Sequence, residues 1–322
     1  MAARRTRREF LKSGAAAAAG LVAAPAVATA ANKGEKLRMA VIGAGGRGGA
    51  GMHAALREHL VAVADVDPRG RAGKNIQNAK KRFSELQVYS DFRELFDKHP
   101  KLDAVWVATP DHTHFPAAIR ALAARVPVYC EKPLTHDIWE ARRLREAAAA
   151  QKVPTQMGNQ GHSGESIRRI VEYIRAGVLG TITRLDCVSN RSFGARNRPP
   201  SKPVPEGLDW EAWVGPAPWR DYHDGLHPFA WRGWLDFGTG SIGDMGCHTI
   251  DGAVWALRLY ESKMVGVVAK QGGVTQEGYK GKAQIEFRFP ERGDLPAVTM
   301  TWWNGGGDMK PPRPEQLTPG TK

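Results

Sequence analysis

Leu37-Arg38-Met39-Ala40-Val41-Ile42-Gly43-Ala44-Gly45-Gly46-Arg47-Gly48 is the stretch on which the fold turns. Its first six residues form a short apolar run suited to a buried parallel strand. The glycines that follow obey the G-x-G-x-x-G spacing. Gly43 allows a tight turn, Gly45 lets the backbone approach a pyrophosphate, and Gly48 lets a helix pack closely on the strand. Gly46 and Arg47 complete the loop, and the helix behind it (52–59) presents its amino end to the phosphate charge. Glycine-rich turns are common, so the flanks matter more than the glycines. Here a strand precedes, a helix follows, and a second apolar strand, Leu60–Ala64, ends at Asp65, 22 positions after Gly43. A carboxylate there accepts hydrogen bonds from ribose hydroxyls and repels a 2′-phosphate, so NAD is expected rather than NADP. The competing reading is a plain turn in which Asp65 and Asp67 lead into Pro68.

Outward from this unit the alternation continues. Asp91–His99 reads as a helix, and Ala104–Ala108 as a strand ending in Thr109-Pro110-Asp111-His112-Thr113-His114. Phe115–Arg125 is helical, and Pro127–Cys130 is a strand ending in Glu131-Lys132-Pro133. Ile138–Gln151 is helical and Val153–Met157 closes the series. Alternating strands and helices predict an α/β fold, a doubly wound parallel sheet of the Rossmann type, with its chemistry at the carboxyl ends of the strands. Both polar clusters fall at such ends. The pair His112 and His114 is read as polar lining, and no metal site is expected.

The chain has 322 residues, 42% of them hydrophobic and 25% charged, an ordinary globular composition. Cys130, Cys187 and Cys247 form neither a disulfide framework nor a zinc spacing. Five basic residues against Glu9 give the first thirty residues +4 of the net +13. Within them Thr6-Arg7-Arg8-Glu9-Phe10-Leu11-Lys12 has the twin-arginine pattern, the stretch 14–24 is mildly apolar, and Ala28-Thr29-Ala30 is a small-x-small cleavage signal. Residues 1–30 are therefore expected to be a leader, and the protein to be periplasmic or otherwise exported. A disordered basic tail is the alternative. No later stretch is apolar enough to span a membrane, so no span is expected after cleavage. The remaining basic residues are scattered, which argues against nucleic acid as a partner. They leave an anionic substrate or polysaccharide open.

After about residue 160 the pattern changes. Ser166–Ala176 reads as a helix, and Thr181–Ser192, Ala283–Phe289 and Ala297–Trp303 alternate as strands. The organisation expected is a nucleotide-binding domain over 36–158 and, over 159–322, an α+β domain with a mostly antiparallel open sheet that binds substrate and supports a homo-oligomer. If a helix starts near Ser241, then Asp244, His248 and Asp251 share one face. A histidine there can move a hydroxyl proton while Asp244 orients it or meets a substrate hydroxyl. Ser241-x-x-Asp244 also reads as a capping box, with Asp251 a solvated helix residue. Trp210, Trp213, Trp219, Trp231 and Trp234 crowd one loop-rich segment. They can stack on sugar rings or pack an arm against a partner subunit. Trp231 and Arg232 are taken as candidate substrate residues.

With these pieces in place the chain, from about 37 to 310, resembles the glucose–fructose oxidoreductase, inositol dehydrogenase and rhizopine-catabolism family, Gfo/Idh/MocA, in an exported subgroup. The resemblance rests on Gly43–Gly48, on Thr109-Pro110 with His114, on Glu131-Lys132-Pro133, and on Asp244-x-x-x-His248-x-x-Asp251. It implies that Lys132, Asp244 and His248 form the catalytic group, beside a nicotinamide held by the Gly43–Gly48 loop, Asp65, Thr109, Pro110, His114, Glu131 and Lys132. The substrate implied is a small carbohydrate. Exported relatives run on with further strands and helices where this chain stops, so a truncated second domain is expected. Free NAD should be scarce outside the cytoplasm, which favours a tightly held cofactor. Three functions stay open: oxidation of a sugar hydroxyl, glycoside cleavage through transient oxidation, and nucleotide or glycan binding without turnover.

Overall fold

The computed structural model describes residues 35–194, 197–263, 266–306 and 309–311. The expected leader, 1–30, and the final residues, 312–322, lie outside them.

The first half alternates β1 (Arg38–Ile42), α1 (Gly48–Ala55), β2 (His59–Ala64), α2 (Gly73–Arg82), β3 (Gln87–Tyr89), α3 (Phe92–Lys98), β4 (Ala104–Val107), α4 (Asp111–Ala123), β5 (Val128–Glu131), α5 (Ile138–Gln151) and β6 (Thr155–Gly158). All six strands are parallel, in the order β3-β2-β1-β4-β5-β6. The order reverses between β1 and β4, so a crevice opens at their carboxyl ends. Successive side chains of each strand feed opposite layers. Ala40, Ile42, Val105 and Val107 pack with α3, α4 and α5, while Val41 and Val63 pack with α1 and α2.

Two elements of this half were not foreseen. The helix α2 buries only Gly73, Ile76 and Ala79 and is otherwise polar, and β3 is a three-residue edge strand. In addition, α4 starts at Asp111, four residues before the expected Phe115. Pro110 sits at the N-cap with extended backbone, and Asp111 complements the helix dipole in the first turn. The histidines of the expected strand-end loop thus lie on a buried helical turn.

The second half comprises α6 (Glu165–Arg175), β7 (Arg184–Ser189), α7 (Trp210–Val214), α8 (Gly240–Thr249), α9 (Asp251–Ala256), β8 (Gly266–Gln271), β9 (Ala283–Phe289) and β10 (Val298–Asn304). Its four-stranded sheet runs β7-β10-β9-β8, antiparallel except for the β10–β7 pair. Val298, Met300 and the fully buried Trp302 of β10 pack under Ile242, Met245, Ile250 and Val254 of the α8–α9 region. The Trp302 indole N–H donates to Asn304 Oδ1 at 2.7 Å, so the burial leaves no orphaned donor there.

The tryptophan segment has a structure that neither sequence reading anticipated. Trp210, Trp213, Trp231 and Trp234 are all under 9% exposed and form a small core with Leu226 and Phe237. The Trp210 and Trp213 rings stack 4.6 Å apart at 8°. Trp219 is the one of the five that faces solvent. This core docks on the first half: Asp209 N–H donates to Val66 O at 2.8 Å, and buried His112 places Nε2 2.9 Å from Trp213 O and Nδ1 3.3 Å from Phe237 O. Burial drives His112 down to about 4, so it stays neutral, with Nε2–H donating across the junction.

Candidate active site

A cleft of about 870 Å³ runs along the carboxyl ends of β1, β2, β4 and β5 and is roofed by the 211–232 segment. At one end lies the glycine loop. A Cβ at Gly43 would stand 2.6 Å from Ala108 O, and one at Gly48 would stand 1.8 Å from Gly43 O, so backbone fills the space that any side chain would need. Gly46 has φ +51° and open space around it, a backbone conformation that favours glycine. Arg47, at the N-cap of α1, makes no side-chain cap. The amides of Gly43, Ala44, Gly45, Gly48 and Gly49 are already bonded, to Ala64 O, the Asp65 carboxylate and the turn's own carbonyls; among the described residues those of Gly46 and Arg47 have no partner, and these two remain for an anion.

Asp65 closes this end. Its Oδ2 accepts from Ala44 N at 2.7 Å and Gly45 N at 3.3 Å, and its Oδ1 accepts from Asp67 N at 2.8 Å. The carboxylate is thus already tied to the loop it was expected to serve. Burial raises its pKa, and the three amides oppose that rise. Asp67, passed over in the sequence as a turn residue, also lines the cleft and meets His227 Nε2 at 3.1 Å across it.

The other end is built from the two strand-end loops. His114 joins them: Nδ1 lies 2.6 Å from Pro133 O and Nε2 2.8 Å from Thr109 O. Carbonyls only accept, so both of these short contacts are hydrogen bonds only when the ring is an imidazolium. Burial works against that charge, but the Cys130 sulfur, the Asp111 carboxylate and the Pro133 carbonyl outweigh it and push His114 up to about 9. His114 was expected to hold cofactor; it touches the cleft wall, but both its polar atoms are spent on holding Thr109, Pro110 and Lys132-Pro133 in place. Asp111 lies fully buried beside it, raised by burial despite the 2.7 Å bond from Thr239 Oγ1.

Lys132 projects from this platform. Its Nζ donates to Asp244 Oδ1 at 2.8 Å and to Asp244 O at 2.7 Å. Arg232 Nε donates to the same Oδ1 at 3.1 Å, and Arg191 Nη1 lies 3.7 Å from Oδ2. Burial alone would raise the Asp244 pKa, yet Lys132 and Arg232 pull it below the ordinary carboxylate range. Glu131 is 3% exposed; its Oε2 accepts from Gln160 Nε2 at 2.5 Å, and Arg47 Nε is 3.6 Å from Oε1. Gly158 permits this, since a Cβ there would sit 2.9 Å from the Glu131 carboxyl.

His248 lies one helical turn after Asp244 on α8, with Nδ1 3.1 Å from Gln160 O. The carbonyl requires Nδ1–H, which leaves the Nε2 lone pair as the acceptor. Neither His248 nor Asp244 is among the residues that wall the cleft; Lys132, Trp231 and Arg232 are. Trp231 was expected to stack on substrate, but it is 5% exposed and belongs to the tryptophan core, with only an edge at the cleft. Ile250, between α8 and α9, keeps helical backbone; the Asp251 carboxylate meets His162 Nδ1 at 2.8 Å, two residues from the Gln160 carbonyl that His248 contacts, so its polar atoms are engaged there and not with Lys132. The capping-box alternative fails: Ser241 Oγ accepts from Phe193 N at 2.7 Å, and Thr239 is the N-cap.

Gln160 and Arg191 were missed. Gln160 follows the carboxyl end of β6, where the strand-end rule applied to the other strands would have found it. Arg191 lies in a segment with no periodicity to place it. Among the described residues no group of three or more His, Cys, Asp or Glu can hold a metal ion, and no helix is long and apolar enough to cross a membrane.

The chain matches two family profiles, an oxidoreductase family NAD-binding Rossmann fold over 37–159 and the C-terminal α/β domain of the same family over 167–290. It is 38% identical over 119 residues to an inositol 2-dehydrogenase of Rubrobacter xylanophilus, a match covering 35% of this chain and 32% of that protein. It is 27% identical to a glycosyl hydrolase family 109 protein of Stenotrophomonas maltophilia, over 93% of this chain and 67% of that one. An inositol dehydrogenase homologue of Azotobacter vinelandii, solved with NADH and myo-inositol, superposes with a TM-score of 0.56 at 25% identity, over 84% of this chain and 64% of that one. The chain spans about a third to two thirds of the length of such curated relatives. The two profiles and the fold together place the chain in the Gfo/Idh/MocA family of oxidoreductases.

Proposed function

We propose that the protein is an NAD-dependent oxidoreductase acting on a hydroxyl of a sugar or sugar derivative. One observation carries this reading: a single cleft leads from an anion-ready glycine loop to the Lys132 ammonium. The residues fit a dinucleotide, with open space at Gly46, the unbonded amides of Gly46 and Arg47 just before α1 and an acidic residue at the end of β2. Asp65 disfavours a 2′-phosphate, so NAD is preferred to NADP. When bound, the nicotinamide supplies the hydride acceptor. Lys132 holds the reacting oxygen by hydrogen bond. Asp244 keeps that ammonium aimed, and His248 Nε2 takes the hydroxyl proton. Arg232 and the edge of Trp231 border the substrate end. Lys132→Met or His248→Ala should remove turnover and spare nucleotide binding; loss of nucleotide binding with turnover would return these residues to a structural role.

The twin-arginine pattern at Thr6–Lys12 supports export with the cofactor already held, and hence a redox-neutral cycle on sugars in the periplasm. The similarity to a glycosyl hydrolase family 109 protein over 93% of the chain favours one form of that cycle. Oxidation acidifies a neighbouring C–H, the proton and the glycosidic oxygen are eliminated to leave an unsaturated ketone, water adds across its double bond, and the ketone is reduced again, so the net reaction is hydrolysis. Incubation with oligosaccharides without added NAD should release new reducing ends; their absence removes this second reading. A homo-oligomer is the assembly proposed, and sedimentation tests it.

A further inference from the structure

Three cations converge on one carboxylate beside the substrate end: Lys132 and Arg232 wall the cleft, and Asp244 and Arg191 adjoin them outside its lining. Lys132, Arg232 and Arg191 all address Asp244, at 2.8, 3.1 and 3.7 Å. One negative charge leaves two positive charges uncompensated, and the other carboxylates nearby are committed. Glu131 faces Arg47 and Gln160, and Asp111 is buried against Thr239 and the charged His114. Arg232 is also held rigidly. Its guanidinium lies 4.2 Å from the Trp231 ring centroid and 4.4 Å from that of Phe229, and its Nη1 donates to Phe229 O at 3.2 Å. Among the described residues its Nη2 has no hydrogen-bond acceptor, and Arg191 makes no side-chain hydrogen bond shorter than its 3.7 Å approach to Asp244. A neutral sugar's hydroxyls can accept from such donors but leave the two positive charges uncompensated. A planar carboxylate supplies negative charge there, and guanidinium groups match it with paired N–H bonds.

We infer that the substrate is a sugar acid, whose carboxylate lies between Arg232 and Arg191 while the hydroxyl to be oxidised meets Lys132. The inference rests on the proposed oxidoreductase reading for its hydroxyl chemistry, and on the arginine geometry alone for its anion. Arg191 is half exposed, so its replacement does not disturb the core.

The test is a tryptophan-fluorescence titration of the full, NAD-loaded chain, read through Trp231 beside Arg232. The probes are paired acids and neutral sugars: D-glucuronate with D-glucose, and D-galacturonate with D-galactose. For at least one pair the acid should bind at least about tenfold more tightly, the equivalent of one added charge-assisted hydrogen bond. Arg191→Glu should abolish or reverse that preference, and Arg191→Gln should reduce it. The inference is overturned if no acid outbinds its neutral partner or if the preference survives in Arg191→Glu. It is equally overturned if NAD affinity falls as far as acid affinity in that variant, which would assign the arginine to the cofactor's phosphates. An acid preference without any reduction of the nicotinamide would leave the anion site standing and refute the oxidoreductase reading.

Discussion

Raising the pH from 6.5 to above 9 should loosen the platform under Lys132, because His114 carries its charge in the interior. The ring is 1% exposed and both nitrogens face carbonyl oxygens. Its folded value, about 9, lies above the ordinary 6.5. The stabilisation is therefore complete below about 6.5 and is lost as the pH rises through about 9. That difference corresponds to roughly 3 kcal/mol, at about 1.36 kcal/mol for each tenfold change in proton affinity. Deprotonation leaves either Thr109 O or Pro133 O without its donor, and the two strand-end loops lose their tie. Urea unfolding of the wild type and of His114→Gln across this range measures the effect. The wild type should lose about 3 kcal/mol more than the variant between these limits, and turnover should fall in the same window. Parallel stability curves for the two proteins would refute the charged-histidine account, as would an imidazole resonance showing a neutral ring at pH 7.

Other consequences are more direct. Lys132→Met and His248→Ala should each lower turnover by about 10²–10⁴-fold in steady-state assays while bound nucleotide is retained. Asp244→Asn strands Lys132 and Arg232 beside each other and should cost about 3 kcal/mol by thermal or urea unfolding. Because the Asp244 carboxyl is depressed, its contribution is present above about pH 4 and lost as the pH falls further; the variant's acid limb should be flatter than the wild type's. Gly48→Ala sets a methyl against Gly43 O, which would be 1.8 Å away, and should reduce nucleotide affinity by at least about 100-fold or prevent folding. Trp213→Ala opens the stacked core at the cleft's roof and should cost about 3–5 kcal/mol in unfolding experiments.

Much of the first half was legible because backbone geometry dictates it. Gly43 and Gly48 occupy positions that only glycine fits, and the expected helix Ile138–Gln151 is found with those bounds, started by an Asp137–Glu140 capping box. The helix start at Asp111 was hidden because the polar run 109–114 looks like a loop until Pro110 is recognised as its cap. In the second half, sequence proximity tells only part of the story. Asp244, His248 and Asp251 look like one face, but nothing local reveals that His248 meets the Gln160 carbonyl and Asp251 meets His162. The tryptophans look like a sugar platform because aromatic side chains serve both purposes; only tertiary contacts show that Trp210, Trp213, Trp231 and Trp234 pack on one another. Arg191, Arg232 and Lys132 are far apart in the chain, and nothing local reveals that they meet on Asp244.

The measurement that tests the central claim most directly is chromatography of what the purified, untreated protein releases on denaturation, followed by titration of the stripped protein with NAD. Near-stoichiometric NAD or NADH, or saturable uptake of NAD that Gly48→Ala abolishes, is the result predicted. Absence of nucleotide, with none taken up on adding NAD, would contradict the claim that this cleft is a dinucleotide site and would remove the basis for the redox function built on it.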